Sequence, residues 1–323
     1  FIWIPADTDD WTRHFHIGAV VGFNIHASFN ESGLFSISGS DPANGIFDDG
    51  YVHPDQSGDP TYTSYFGFNN YSSQYNAANQ TLTMHGSTSF AATGSSQHDG
   101  GPFPGFDMVY GDNLWYWKHA RVGWELGFGL LPITIKDTSP LSAMVNQSIY
   151  TFDTTGAVLL HNAQGGYNAG SSGQGPFINE TPAVSSSQSV SGTVTGSRTL
   201  DVMLYTIKFG PSFYWDITEK FGMSLGAGPA LGLVTGDYKY DETITTTANG
   251  VSSHSSGKYG TTDFVYGGYV NGTVLWHVLN NADIYLGAQY MPLGSANFSN
   301  GGRAAKLDLS GQVYISAGIS WPF

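Results

Sequence analysis

The chain contains no cysteine, which removes disulfides and thiolate metal sites from consideration. Charge is scarce: Asp, Glu, Lys and Arg make up 11% of the 323 residues, with 11 Lys and Arg against 25 Asp and Glu. At a net charge of −14 no basic stripe exists to neutralise phosphates, so a nucleic-acid partner is not expected. No stretch approaches the ~18 consecutive apolar residues of a transmembrane helix, so any membrane-crossing structure must be built from strands. No N-terminal segment combines a basic start, an apolar core and a small-residue cleavage site, so the numbering is expected to begin in a mature protein. What the chain has in quantity is glycine (43 residues) and aromatics (15%).

Those residues are arranged with a period of two. From Ala305 to Phe323, Ala305, Leu307, Leu309, Val313, Ile315, Ala317, Ile319, Trp321 and Phe323 alternate with Lys306, Asp308, Ser310, Gln312, Tyr314, Ser316 and Ser320. The pattern predicts one long strand, apolar on a lipid face and polar on a lumen face, ending on an aromatic residue. Soluble strands are shorter, about five or six residues. Phe15, Ile17, Ala19, Val21, Phe23 and Ile25 alternate in the same way with His14, His16, Gly18, Val20, Gly22 and Asn24. Further alternating segments run from Val122 to Leu130, Met203 to Trp215, Phe221 to Leu233, Phe264 to Val278 and Ile284 to Tyr290. Glycine repeatedly takes the inward positions, where a narrow barrel leaves little side-chain room.

A terminal Phe closing an alternating strand resembles the C-terminal signature of Gram-negative outer-membrane β-barrels. By overall plan the chain is similar to the small barrels of the OmpA, OmpX and OmpW type, with long surface loops. The resemblance implies a single all-β, antiparallel transmembrane β-barrel domain over residues 1–323, in the bacterial outer membrane. It also implies recognition of the last strand, ending in Phe323, by the barrel-insertion machinery. Eight strands are expected, near 12–28, 105–111, 120–136, 199–216, 220–239, 260–279, 282–293 and 304–323; parity also allows ten or twelve. Residues 30–104 and 137–198 are read as long surface excursions or extra hairpins. Asp216 to Lys220 and Leu279 to Asp283 read as short periplasmic turns, and Gly236 to Thr261 and Gly294 to Arg303 as long extracellular loops. Phe213, Trp215, Phe221, Trp276, Trp321 and Phe323 around the short turns form a candidate aromatic girdle. Pro211 and Pro229 fall inside strands, where each removes a ladder donor and predicts a bulge or local unpairing.

Candidate chemistry is thin. Gly222-Met223-Ser224-Leu225-Gly226 matches a nucleophile-elbow string, but that motif needs a strand, a sharp turn and a helix, whereas alternation runs straight through it. Ser224 is read as a small lumen residue, and no enzymatic activity is expected. His14, His16 and His26 are placed on the inward face of the first strand, short of a metal site without further converging ligands. Asp7, Asp9 and Asp10, then Asp48, Asp49, Asp55 and Asp59, offer hard oxygens in loops, but their spacing misses the EF-hand pattern. They are read as solvated loops, with no cofactor expected. Glu125 and Lys208 are inward at comparable heights, and each needs a partner because an unpaired buried charge is costly. Lys306, Asp308, Gln312, Gln289, Asn271 and Tyr269 are candidates to extend that lumen network. An eight-stranded interior is just wide enough for side chains to fill it. The expected role is therefore structural: a packed barrel carrying acidic, aromatic loops toward lipopolysaccharide, outer-membrane lipid or neighbouring surface proteins. The alternative is a porin-like passive channel with weak cation preference.

Overall fold

The computed structural model describes residues 13–37, 39–55, 58–160, 167–168, 176–246, 252–279 and 282–322. The N-terminal half contains β1 (Arg13–Phe23), β2 (Ile25–Ser36), β3 (Ile46–Phe47), β4 (Gly50–His53), β5 (Tyr62–Thr63), β6 (Tyr65–Phe68), β7 (Tyr75–Asn76), β8 (Thr81–Gly100), β9 (Phe103–Tyr116), β10 (Ala120–Asp137) and β11 (Leu141–Asp153). There follow β12 (Tyr167–Asn168), β13 (Ile178–Asn179), β14 (Val184–Asp216), β15 (Phe221–Thr246), β16 (Ser252–Leu279), β17 (Ala282–Tyr290), β18 (Ser295–Asn300), β19 (Arg303–Asp308) and β20 (Val313–Pro322). A short α-helix, Tyr71–Gln74, is capped by the Asn70 side chain, and among the described residues no helix is long and apolar enough to cross a membrane.

Eight of these strands close a ring in the order β1-β9-β10-β14-β15-β16-β17-β20, each pair antiparallel, with β20 returning to β1. First and last strands pair over ten rungs, from His14 opposite Pro322 to Phe23 opposite Val313, which removes both sheet edges. Outside this lower ring lie Leu126, Phe209, Leu225, Val274, Leu286, Ile315 and their neighbours, all exposed. Inside lie His14, His16, Glu125, Lys208, Ser212 and Ser224, all buried. Apolar out and polar in is the wall of a bilayer-spanning barrel.

The wall does not stop at that height. β14, at 33 residues, is roughly 110 Å of strand, about three times the 9–11 residues needed to cross a bilayer. β14, β15 and β16 run unbroken into an upper storey. There the ladder passes from β15 and β14 to β11, β8, β2, β19 and β18. The seam between β18 and β16 is bridged by the Tyr259 hydroxyl, which donates toward the Phe298 and Arg303 carbonyls at 3.1 and 3.0 Å. In this storey most of the interior is apolar: Ile25, Phe29, Ile133, Leu200, Val234, Phe298 and Leu307 are buried in one core.

The break between storeys corrects several sequence expectations. Residues 304–323 do not form one strand: β19 and β20 are separated, and Ala305, Leu307 and Leu309 are at most 1% exposed, whereas Val313, Ile315 and Ile319 face outward. Likewise β1 ends at Asn24 (φ 58°), whose side chain donates to the Gly311 carbonyl at 2.7 Å, and Ile25 then turns inward. Similar interruptions separate β8 from β9 and β17 from β18. All four lie in one arc of adjacent strands, and each shifts the chain by one position, which exchanges its two faces. The expected loops within 236–261 and 294–303 are hairpins, β15–β16 and β18–β19. The excursions 30–104 and 137–198 supply β2, β8, β11 and upper β14 to the wall, plus a cap whose core includes Phe47, Phe66, Leu82, Phe152 and Ile178. Between Pro211 and Pro229 three rungs of the β14–β15 ladder are missing with the register unchanged, so the prolines unpair the strands without a bulge.

At the short-turn end, Trp215, Phe221, Trp276 and Trp321 are outward and exposed, with Phe221 stacked on Trp276 and Phe15 on Trp321. Phe213 is half-buried in the same region, and Trp115 and Trp117 join this girdle unanticipated. Phe323, with Asp7, Asp9 and Asp10, lies outside the described residues.

Candidate functional site

The lumen of the lower ring is the natural place to look for function. Lys208 projects inward from β14 across Gly127, where a Cβ would stand 2.2 Å from the lysine chain, so glycine there makes room for the charge. Its Nζ donates to Asp107 at 3.2 Å and to the Gln289 side-chain oxygen at 2.5 Å, and sits 5.7 Å from the Tyr269 ring centroid. Glu125 occupies the space left by Gly226 and accepts a hydrogen bond from Asn271 at 2.9 Å. Toward the girdle, His16 is 3.1 Å from the Tyr214 hydroxyl, and His14 packs edge-on against both rings. Glu125, Lys208, Gln289, Asn271 and Tyr269 thus share one network, although the ion-pair partner of Lys208 is Asp107. Asp107 was legible: it is inward on β9 by the same alternation that puts Phe106 and Met108 on the other face.

Other expected members lie elsewhere. Lys306 and Asp308 face outward on β19 in the upper storey, because the break before β20 exchanges their face with that of Leu307. Gln312, fully buried at the break, accepts from the Tyr314 hydroxyl at 2.6 Å. His26 is on β2, away from His14 and His16, paired with Asp99 at 2.6 Å. Ser224 lies in mid-strand between Tyr214 and Thr273, inside the lumen and away from any turn.

Two cavities of about 20 and 30 Å³ lie in the lumen between these side chains. Each has room for about one or two waters. Above them the interior closes on Val20, Phe103, Leu131, Leu204, Met291, Leu293 and Tyr314.

A second charged cluster, unanticipated, sits within the upper storey. Arg198, 1% exposed, has its Nε 3.3 Å from Glu31 and 2.7 Å from Glu242, and its Nη1 donates to Asp137 at 2.9 Å. Arg303 approaches the same two glutamates at 3.5 and 3.2 Å, its guanidinium held between the faces of Phe35 and Tyr240. Burial, then the neighbouring Glu31 carboxyl, push Glu242 up to about 8 against the pull of both arginines. Burial also acts on Asp137, but hydrogen bonds from Ser96, Ser139 and Arg198 outweigh it and hold that carboxyl at about 2. These residues stand just beyond the expected strand ends, Glu31, Asp137 and Arg198 in the segments read as surface excursions or extra hairpins and Glu242 and Arg303 in those read as loops. Continuing the even-numbered inward parity of β14 and β15 would have placed Arg198 and Glu242 in the core.

The cap aspartates are individually engaged. Asp49 accepts from the His85 backbone at 2.8 Å and faces its ring at 2.6 Å, raising the histidine pKa above its ordinary value. Asp48 accepts from Ser87, Asp55 from Ser64 and Asp59 from the Thr61 backbone. Among the described residues no three His, Asp or Glu are grouped to hold a metal ion.

No known family and no curated protein matches the chain. Among solved structures it is similar to the outer membrane protease OmpT of Escherichia coli at 9% identity, with 100% of this chain and 99% of that one covered and a TM-score of 0.31. It is likewise similar to the outer membrane protein OprG of Pseudomonas aeruginosa at 9% identity, 98% and 99% coverage and a TM-score of 0.32. The attachment invasion locus protein Ail of Yersinia pestis follows at 9% identity, 96% and 99% coverage and a TM-score of 0.26.

Proposed function

We propose that the protein is an integral barrel of the bacterial outer membrane that conducts nothing and serves as a rigid anchor, holding its cap well above the bilayer. The observation that supports this reading is the filling of the interior at both levels. At bilayer height the Lys208–Asp107–Gln289 and Glu125–Asn271 contacts occupy the lumen, and above it an apolar core replaces the polar one. A solute would have to displace buried charges and then cross packed Leu, Met and Phe side chains, both costly steps. The upper storey is the rigid part: its core is continuous from strand to strand, and the Arg198 cluster ties β2, β14, β15 and β10 together. Chemistry at Ser224 is not part of this reading, because that side chain is sealed inside the wall.

Reconstitution into planar bilayers tests it. The expected trace is flat across applied voltages of both signs; a steady, step-like ion current through the purified protein overturns the anchor and establishes the pore.

A further inference from the structure

We infer that the outer wall formed by β10, β14, β15 and β16 carries a docking strip for a phosphorylated glycolipid of the surrounding outer leaflet. The inference rests on the bilayer placement proposed above and concerns the outside of the barrel.

Basic residues are few, and their placement is uneven. Seven of the eleven lie at the girdle end or inside the molecule; of the four outward ones above the apolar belt, three fall in a single hydrogen-bonded row. Lys136 on β10 is opposite Thr199 on β14, Thr199 opposite Lys239 on β15, and Lys239 opposite Lys258 on β16. Lysines directly opposed across a ladder repel, a cost that a bound anion removes.

The height of the row selects the ligand. The last row made wholly of large apolar outward side chains is Leu130, Tyr205, Leu233 and Phe264, also in register. The lysine row is six residues further along each strand, roughly 20 Å of strand and, at a barrel tilt of 35–45°, about 15 Å above the hydrocarbon edge. A phospholipid headgroup zone is only about 5–8 Å deep. An amphiphile whose phosphates are carried on sugars above that zone meets the ammonium groups, and its acyl chains lie along the belt below. Lys239 and Lys258 already lean toward the membrane, to Asp201 at 3.0 Å and Asp237 at 2.9 Å. Exposed pairs of this kind hold little energy, so a phosphate can share or replace the carboxylates. Lys136 is exposed with no carboxylate partner among the described residues; Asp201, Asp237 and Asp241 on the same outward face balance the three lysines in number, so a phosphate competes with carboxylates at Lys239 and Lys258 and meets Lys136 unopposed.

The test refolds the full chain into phosphatidylcholine vesicles containing phosphatidylglycerol, a core-bearing phosphorylated lipopolysaccharide, or the same lipopolysaccharide stripped of phosphate. Lipid retained after gentle detergent extraction is then weighed by native mass spectrometry. Retention of the phosphorylated glycolipid is expected to exceed both others by about tenfold, and to fall by a similar factor in the Lys136→Gln, Lys239→Gln, Lys258→Gln triple variant but not in Lys118→Gln, Lys220→Gln. Equal retention of the stripped lipid or of phosphatidylglycerol overturns the inference, as does an unaffected triple variant or full displacement by inorganic phosphate. Heat-modifiable gel migration reports folding; if the triple variant does not insert, Lys136→Gln alone carries the comparison, with a smaller loss expected and an unchanged retention overturning. A wild-type chain that never enters the vesicles overturns the bilayer placement itself, whereas insertion without phosphate preference overturns the strip alone.

Discussion

One strand shows both halves of the molecule. Along the outward face of β15, Phe221, Leu225, Leu231 and Leu233 give way to Thr235, Asp237, Lys239, Asp241, Thr243 and Thr245. Along its inward face Gly222, Ser224, Gly226 and Gly228 give way to Val234, Tyr238 and Ile244. The parity never changes and the register with β16 is unbroken, yet both faces swap polarity near Leu233. The backbone is indifferent to its surroundings because its hydrogen bonds are satisfied by neighbouring strands; side chains alone record where hydrocarbon ends and water begins. The lower storey is held by lipid outside and a polar network inside, the upper storey by an ordinary water-excluding core.

The sharpest way to break that contrast is to strip the cation from the upper core. Arg198→Ala leaves Glu31, Glu242 and Asp137 facing one another without their central partner, a loss of about 3–5 kcal/mol for the upper storey. Hydrogen exchange is expected to rise in β2, β8, β11 and upper β14 while the lower ring keeps its protection. Uniform loss through both storeys would show that they unfold as one unit.

Next in size is the outward face itself. Leu225→Lys places a charge against hydrocarbon, about 2–4 kcal/mol if the site is near the bilayer midplane, whereas Thr245→Lys, on the same face of the same strand, stays within about 0.5 kcal/mol. Folding efficiency into vesicles, followed by heat-modifiable migration, checks both. Equal tolerance would mean that the belt does not meet lipid.

This contrast explains what was legible in the sequence. Alternation identified the strands of the lower ring and the inward positions of Glu125 and Lys208, because one polarity rule held there throughout. It misled at the C-terminus, where Ala305, Leu307 and Leu309 continue the rhythm of Val313 and Ile315 in odd-numbered positions but face the opposite way. Two changes coincide in that stretch: the strand slips by one residue at 309–312, and the medium changes from water to lipid. Either alone would disturb the pattern; together they cancel, so an apolar inner face and an apolar outer face read as one stripe. Arg198 and Glu242 were missed for the complementary reason, since polar outward residues around them made their segments look like loop.

The pH response follows from the same cluster. Glu242 has a folded pKa of about 8 against an ordinary 4.5, so its protonated form is favoured by the fold, and that contribution is complete below pH 4.5 and lost as pH rises toward 8. Asp137 behaves oppositely: held at about 2 against 3.8, it stabilises above pH 3.8 and loses its contribution as pH falls toward 2. Upper-storey stability is therefore expected to peak near pH 4–5 and decline toward neutrality, with Glu242→Gln flattening the alkaline limb. Denaturant titrations read by exchange in upper β14 and β15 check this, and a profile unchanged by the substitution would remove Glu242 as its cause.

The smallest effect belongs to the hinge between storeys. Asn24 holds φ at 58°, a conformation that Asn tolerates better than other residues with a Cβ, and its side chain ties β1 to the β19–β20 break through Gly311. Asn24→Ala loses the tolerance and both side-chain hydrogen bonds, to the Gly311 carbonyl and to His26, about 2 kcal/mol, whereas Asn24→Gly loses only the two hydrogen bonds, about 1 kcal/mol. The face exchange at this position depends on the extra residue and not on its side chain, so both variants should retain Phe23 outside and Ile25 inside. Cysteine placed at either neighbour and challenged with a membrane-impermeant thiol reagent reads the faces directly. Labelling at position 25 in the Asn24→Ala background would show that the side chain, and not the chain length, sets the boundary between the two interiors.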